Sequence, residues 1–281
     1  MQNQTAADKE LRNFEIYLYE DEKSENTIKK YLRDVRRFTA HFGKTTLSKT
    51  DVLEYKRLLC KSYSPESVNS MLSSLNAFFN FINRYDLKVK ALKIQRRIFA
   101  DRQKELAKYE YERLLTAAKQ QKNDRLYFLM QTIASTGLRV SEIKYITVEA
   151  VKSGIATINN KGKIRQVFLP RKLCKMLKGY IKAKSIKSGF VFASKTGRPL
   201  DRFSIWKMMK SLCDSANVDK KKVFPHNFRH LFARTYYSMQ KDIVRLADIL
   251  GHSSINTTRI YTIESGDIHI RQIQKLGLLR C

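Results

Sequence analysis

The sequence predicts a mainly α-helical chain in two domains: a four-helix bundle, then a larger helical domain holding a small β-hairpin or three-stranded sheet. Three observations predict it. Apolar residues recur at helical spacing through the first hundred positions, β-branched residues crowd one region at 147–169, and only 10 Gly and 4 Pro punctuate 281 residues. That length suits two domains of ordinary size. At 43% hydrophobic and 11% aromatic, the chain has material for two cores, which excludes wholesale disorder.

The first helix is expected over about 7–19, with Leu11, Phe14 and Leu18 along one face. The second opens at 24–27, turns Ile28, Tyr31, Leu32, Val35 and Phe38 inward, and leaves Gly43 where a left-handed C-terminal turn is wanted. A third begins near Thr50-Asp51 and carries Val52, Tyr55, Leu58 and Leu59 inward. The fourth starts at Ser64-Pro65, a cap followed by Pro at the first helical position, and its stripe runs Val68, Met71, Leu72, Leu75, Phe78, Phe79 and Ile82. Residues 88–104 carry Lys88, Lys90, Lys93, Arg96, Arg97, Arg102 and Lys104 and lose periodicity after Ile94. They read as a basic linker that lies along a phosphate backbone, dividing a first domain at 1–87 from a second at 105–281.

In the second domain, helices are expected over 109–119 and 124–136. Between 147 and 169 the character changes. Val148, Val151, Ile155, Thr157 and Ile158 precede the polar turn Asn160-Lys161-Gly162-Lys163, and Ile164, Val167, Phe168 and Leu169 follow it, which predicts strands and a hairpin. Pro170 stops the last strand, a helix resumes over 172–182, and Phe190-Val191-Phe192 is a strand or a buried connector.

Charge narrows the function. Lys and Arg number 55 against 26 Asp and Glu, a formal net charge of +29. So large an excess repels itself in the folded state, and a dense polyanion is the expected partner, nucleic acid ahead of a membrane surface. No apolar stretch is long enough to span a bilayer, and the polar start, with Asp8 and Glu10, is unlike a secretory signal. The cysteines (Cys60, Cys174, Cys213, Cys281) are scattered, so reduced thiols in the cytoplasm are expected, with neither a disulfide framework nor a zinc site. There is no G-x-x-x-x-G-K phosphate loop.

Four short pieces of the second domain carry candidate chemistry. In Ser135-Thr136-Gly137-Leu138-Arg139-Val140-Ser141-Glu142, Gly137 breaks one helix and Arg139 falls in the first turn of the next. A cation is poorly placed at that positive helix end unless an anion sits there, or unless Arg139 simply pairs with Glu142. Lys161 occupies the hairpin turn, where it could reach into a groove or stand solvated. In Pro225-His226-Asn227-Phe228-Arg229-His230, helical spacing puts His226 and Arg229 within reach of one anion. His226 and His230 lack a third metal ligand, so phosphate recognition fits better than zinc, and His230, which serves equally well as a core histidine, is left out of the chemistry. In Leu250-Gly251-His252-Ser253-Ser254-Ile255-Asn256-Thr257-Thr258-Arg259-Ile260-Tyr261-Thr262, His252 follows a helix-ending Gly, and Thr257-Thr258 can cap a short helix bearing Tyr261.

Taken in order, T-G-L-R-V-S-E, a hairpin lysine, H-N-F-R-H and L-G-H-S-S-x-x-T-T-x-x-Y-T resemble the tyrosine site-specific recombinases of the phage integrase family, in particular its short Xer-like members. Phe228 stands where that family more often has Leu and keeps an apolar anchor between His226 and Arg229. The resemblance covers most of the chain and implies an N-terminal four-helix, SAM-like core-binding domain ahead of a catalytic domain.

It also implies roles. Tyr261 would attack a scissile phosphodiester, forming a 3′-phosphotyrosyl link and freeing a 5′-hydroxyl. Arg139, Arg229 and His226 would grip the non-bridging oxygens, Lys161 would protonate the leaving oxygen, His252 would hydrogen-bond the phosphate or support the nucleophile, and Glu142 would brace Arg139. Exchange of one ester for another conserves the bond energy, so neither metal nor ATP is expected. Arg96, Arg97, Arg102, Lys104 and Lys163 are the expected backbone contacts on double-stranded DNA. Helix four and the segment before Trp206 are candidates for reading bases. The resemblance further implies a homotetramer, a dimer of dimers, on paired inverted-repeat half-sites, with monomers off DNA. The apolar tail (Ile268, Ile270, Ile273, Leu276, Leu278, Leu279) would dock in trans or pack on its own domain. A non-catalytic DNA-binding regulator and a type IB topoisomerase-like enzyme are the competing readings. An integrase or excisionase, a DNA invertase and a dimer resolvase share every residue named.

Overall fold

The computed structural model describes residues 6–42, 47–94, 104–160, 163–262 and 274–275. The chain divides into two compact units, 1–96 and 97–281. The first holds α1 (Ala6–Glu20), α2 (Glu25–Phe42), α3 (Lys49–Ser62) and α4 (Pro65–Phe81). Their apolar faces meet in one core in which Phe14, Leu18, Val35, Phe38, Val52, Val68 and Phe79 are fully buried. Phe38 sets its ring edge-on to Tyr55 and Phe79, joining three helices. Leu58, expected inward, is instead 38% exposed, because Tyr55 and Leu59 already fill the inner side of α3. That helix starts at Lys49, just ahead of the Thr50-Asp51 pair read as its beginning. Ser48 and Asp51 form a reciprocal capping box, Ser48 N–H donating to the carboxylate at 2.8 Å. Ser64 caps α4 and Pro65 occupies its first turn.

The start of the expected linker is tied down. Asn76 both donates to and accepts from the Val89 backbone, at 2.9 and 3.0 Å, and Asn69 does the same for Leu92, at 2.9 and 2.7 Å. Two α4 side chains thus take the place of a neighbouring strand, and 88–92 belongs to the first unit. Arg96, Arg97 and Arg102 lie outside the described residues, as do Gly43 and the apolar tail residues.

The second unit contains α5 (Lys108–Gln120), α6 (Asp124–Thr136), a 3-10 turn (Val140–Tyr145), α7 (Val148–Ser153), β1 (Ile155–Asn160), β2 (Lys163–Phe168), α8 (Arg171–Ala183), α9 (Arg202–Lys210), α10 (Cys213–Ala216), α11 (Pro225–Gln240), α12 (Ile243–Leu250) and α13 (Ile255–Thr258). Among the described residues the sheet has two strands. β1 and β2 pair antiparallel, with Ile155 opposite Phe168 and Ile158 opposite Arg165. Phe190-Val191-Phe192 is a connector: it forms one bridge to Thr147 and buries Val191 and Phe192. Val148 and Val151, read as strand, lie in α7; Thr147 caps its start, left-handed Gly154 ends it, and their i, i+3 spacing turns both inward. Fully buried Leu114, Leu129, Ile133, Leu177 and Phe228 belong to the core of this unit. No helix of the described residues is long and apolar enough to cross a membrane.

Candidate active site

Three backbone reversals bring the candidate residues together. At the first, Gly137 ends α6 with φ +67°, and a Cβ there would stand 2.5 Å from the Phe232 ring. The chain then turns so that Arg139 precedes the 3-10 turn instead of lying in a helical first turn. Glu142, only 2% exposed, completes the reversal: its carboxylate accepts from the Arg139 N–H at 2.8 Å and from the Arg139 guanidinium at 3.0 Å. Both readings of Arg139 therefore meet in one place, a cation paired with Glu142 that also faces an open cleft.

At the second, Pro225 opens α11, which carries His226 and, one turn further on, Arg229 and His230. Arg229 is 1% exposed. Its guanidinium donates to the Gly137 carbonyl at 2.6 Å and to the Leu250 carbonyl at 2.8 Å, joining the ends of α6 and α12. Burial, with Arg139 nearby, pulls its pKa down to about 10, which still leaves it cationic at neutral pH.

The third reversal is Gly251, φ +64°, which ends α12 and delivers His252. His252 Nε2 lies 2.8 Å from an Arg229 nitrogen and His252 Nδ1 lies 2.8 Å from Thr258 Oγ1. An arginine only donates, so Nε2 accepts, Nδ1 carries the proton, and Thr258 receives it. Burial and the surrounding arginines press the His252 pKa to about 4, and the ring is neutral. Burial and His226 bring His230 to about 4, and burial with Arg229 lowers His226. Thr258 is buried in this contact, while Ser254 caps α13, a role the sequence had suggested for Thr257-Thr258.

Tyr261 sits just beyond α13, 3% exposed. Its ring meets His230 edge-on at 4.8 Å and lies nearly parallel to His252 at 6.1 Å, close enough to the Arg229 guanidinium to act on it electrostatically. Tyr261 is not part of the cleft wall. The cleft itself, about 590 Å³, is walled by Arg139, Arg202, Trp206, Phe224, His226 and Arg229.

The end of α12 is where the segments converge. Ile249, Leu250 and Gly251 offer three successive carbonyls; Arg165 takes the first at 2.8 Å, Arg229 the second and Arg139 the third at 3.3 Å. Three cations at the negative end of one helix are electrostatically well placed. The structure thus gathers Arg139, Glu142, His226, Arg229, His252 and Tyr261. Lys161 lies outside the described residues. Lys163 opens β2, with its side chain outside them, and Lys104 is exposed with its carbonyl held by Asn227 at 2.9 Å. Among the described residues no group of three or more His, Cys, Asp or Glu side chains is placed to hold a metal ion.

Sequence reading passed over Arg165 and Arg202, and read Thr258 as a helix cap, not as the partner of His252. Arg165 was detectable, because strand alternation sets it on the same side as Val167, toward the core. His230, left out of the expected chemistry, packs on the tyrosine.

Residues 104–266 match the phage integrase family, and residues 11–85 match the phage integrase N-terminal SAM-like domain. The tyrosine recombinase XerA of Thermococcus kodakarensis is 32% identical over 280 residues, covering 96% of this chain and 95% of that protein. A crystal structure of XerA recombinase superimposes at a TM-score of 0.52 with 26% identity, over 98% of this chain and 100% of the other. A lambda integrase dimer bound to a core site shares the fold at a TM-score of 0.73 and 16% identity, over 90% and 94% of the two chains.

Proposed function

The chain belongs to the phage integrase family and is a tyrosine recombinase, an enzyme that cuts and rejoins DNA strands through a tyrosine; on that premise we propose that Tyr261 is its nucleophile and that Arg139, His226, Arg229 and His252 form its phosphate pocket. One observation carries the assignment: buried Arg229 lines the cleft with Arg139 and His226 and bonds His252, whose ring lies nearly parallel to that of Tyr261.

The scissile phosphate enters that cleft. Guanidiniums carry five N–H donors each, so Arg139 and Arg229 can grip non-bridging oxygens while keeping carbonyl contacts that fix their planes. Tyr261 Oη attacks phosphorus, the P–O5′ bond breaks, and a 3′-phosphotyrosyl ester forms. Lys161 gives a proton to the departing O5′. When the phosphate draws the Arg229 donor away, the His252 Nε2 lone pair is released to accept the phenolic proton, with Thr258 holding the opposite nitrogen. A 5′-hydroxyl from the partner strand then reverses the sequence, restoring the phosphodiester and the phenol.

The net charge of +29 supports a large electrostatic share of DNA affinity, with log K falling by about 0.9 per neutralised phosphate for each log unit of salt. Arg96, Arg97, Arg102, Lys104 and Lys163 supply backbone contacts. Solved relatives include a site-specific recombinase bound to its difH substrate before cleavage and the lambda integrase dimer on a core site. This chain works in the cytoplasm as a homotetramer on paired inverted-repeat half-sites, its N-terminal SAM-like domain and its catalytic domain both engaging the duplex.

The test is covalent capture. Nicked suicide duplexes, drawn from a randomised half-site pool and from DNA flanking the gene, are incubated with the protein and resolved in detergent. Wild type is expected to give a denaturant-resistant adduct, and Tyr261→Phe none, with its DNA binding intact. An adduct that persists in Tyr261→Phe refutes the nucleophile.

A further inference from the structure

We propose that Arg165 is a positioning residue for strand cleavage: it locks the hairpin bearing Lys161 both to the phosphate-gripping Arg139 and to the end of α12 from which His252 emerges. The assignment rests on the recombinase reading above.

Arg165 occupies a position that a charged residue would ordinarily avoid. It pairs with Ile158 on the face of the hairpin where Ala156 and Val167 are buried, and its own side chain is only 19% exposed. A cation taken that far from water needs partners for its donors. It has two, on different nitrogens. One guanidinium nitrogen donates to Glu142 Oε2 at 2.8 Å, and the other donates to the Ile249 carbonyl at 2.8 Å. The Glu142 carboxylate that receives it also holds the backbone and side chain of Arg139. The Ile249 carbonyl stands two residues before the glycine that releases His252.

The seat is shaped for a guanidinium. Gly251 closes over it so tightly that a Cβ there would lie 2.5 Å from both Cδ and Nε of Arg165. One rigid planar group therefore fixes three separately encoded pieces: the turn at Arg139, the cap of α12, and β2, which begins just after the Lys161 turn. Lysine cannot reproduce this, because a single ammonium replaces a fork whose two arms point to different acceptors. Arg165 makes none of the contacts that line the cleft, so it acts through Glu142, α12 and its own strand.

The experiment uses full-length Arg165→Met and Arg165→Lys with the nicked duplex captured above. Three quantities are read for each: half-site affinity, the melting curve followed through Trp206, and the single-turnover cleavage rate at saturating DNA. Expected is a cleavage rate lowered by about 10–100-fold, the range typical of buried partners that orient working groups, with affinity unchanged and Arg165→Lys the milder variant. A 5′-phosphorothiolate leaving group needs no proton, so it should recover much of the loss in Arg165→Met. The double variant Glu142→Gln/Arg165→Met should be no slower than the slower single, because both act through one carboxylate. Should Arg165→Met fail to fold, Arg165→Lys decides the question. Normal cleavage rates in the folded variants overturn the proposal. So does a loss of rate that merely tracks lost affinity and stability, with no recovery from sulfur. A wild-type protein that forms no adduct overturns the recombinase reading itself, an outcome distinct from both.

Discussion

Glu142→Gln is the most demanding test of the site's electrostatic frame. The carboxylate is 2% exposed and receives three donors: the Arg139 N–H, the Arg139 guanidinium and the Arg165 guanidinium. Glutamine has nearly the same volume but one acceptor oxygen, and its NH₂ would face a donor. The change leaves Arg165 largely buried without a counter-charge. Breaking a buried pair costs about 3–5 kcal/mol, and Arg139, whose side chain is 35% exposed, recovers some solvation; about 3 kcal/mol is therefore expected. For a unit of this size each kcal/mol moves the midpoint by about 2–4 °C, giving a loss of about 6–12 °C. Trp206, the single tryptophan, sits on α9 and reports the second unit's melting by fluorescence. A Glu142→Gln protein that melts like wild type and cleaves at the wild-type rate would refute the claim that this carboxylate organises the arginines.

Three further outcomes follow from the structure. His230 and His252 are held near pKa 4 against an ordinary 6.5, so the unfolded chain binds more protons between those values; stability should be full above about pH 6.5 and decline toward pH 4, and urea midpoints should fall less steeply in His252→Asn. Gly137→Ala combines a left-handed residue with a Cβ 2.5 Å from Phe232 and should destabilise by about 2–4 kcal/mol in denaturant titration, with a cost near zero counting against the turn described. Asn76→Ala removes both bonds to Val89; amide exchange at Val89 should accelerate while the α4 core amides stay protected, and unchanged exchange there would mean the strap is held by other contacts.

Much of the fold could be read from local rules because those rules act locally here. Ser64-Pro65 and Gly137 mark helix ends wherever they occur, and the stripe from Val68 to Phe79 has one spacing and one meaning. Val148 and Val151 misled because β-branched composition outweighed an i, i+3 pair bracketed by Thr147 and Gly154. Leu58 misled because apolar spacing identifies an eligible face, and neighbours decide which residues fill it. The family motifs pointed to residues that the fold gathers, Arg139, His226, Arg229, His252 and Tyr261, but not to the frame behind them. Arg165, Thr258 and the carbonyls of 249–251 are joined to the site only in three dimensions. A backbone oxygen has no signature in a sequence.

That last feature bears on how the chain can change. The acceptors at the end of α12 belong to the peptide main chain, so what the arginines hold does not depend on the side chain at 249, while Leu250 is fixed separately by its burial. An added or deleted residue in that eight-residue helix is another matter: it would rotate all three oxygens out of reach together. Substitution at 249 leaves these acceptors in place, whereas Gly251 admits no side chain beside Arg165 and an insertion would displace all three at once.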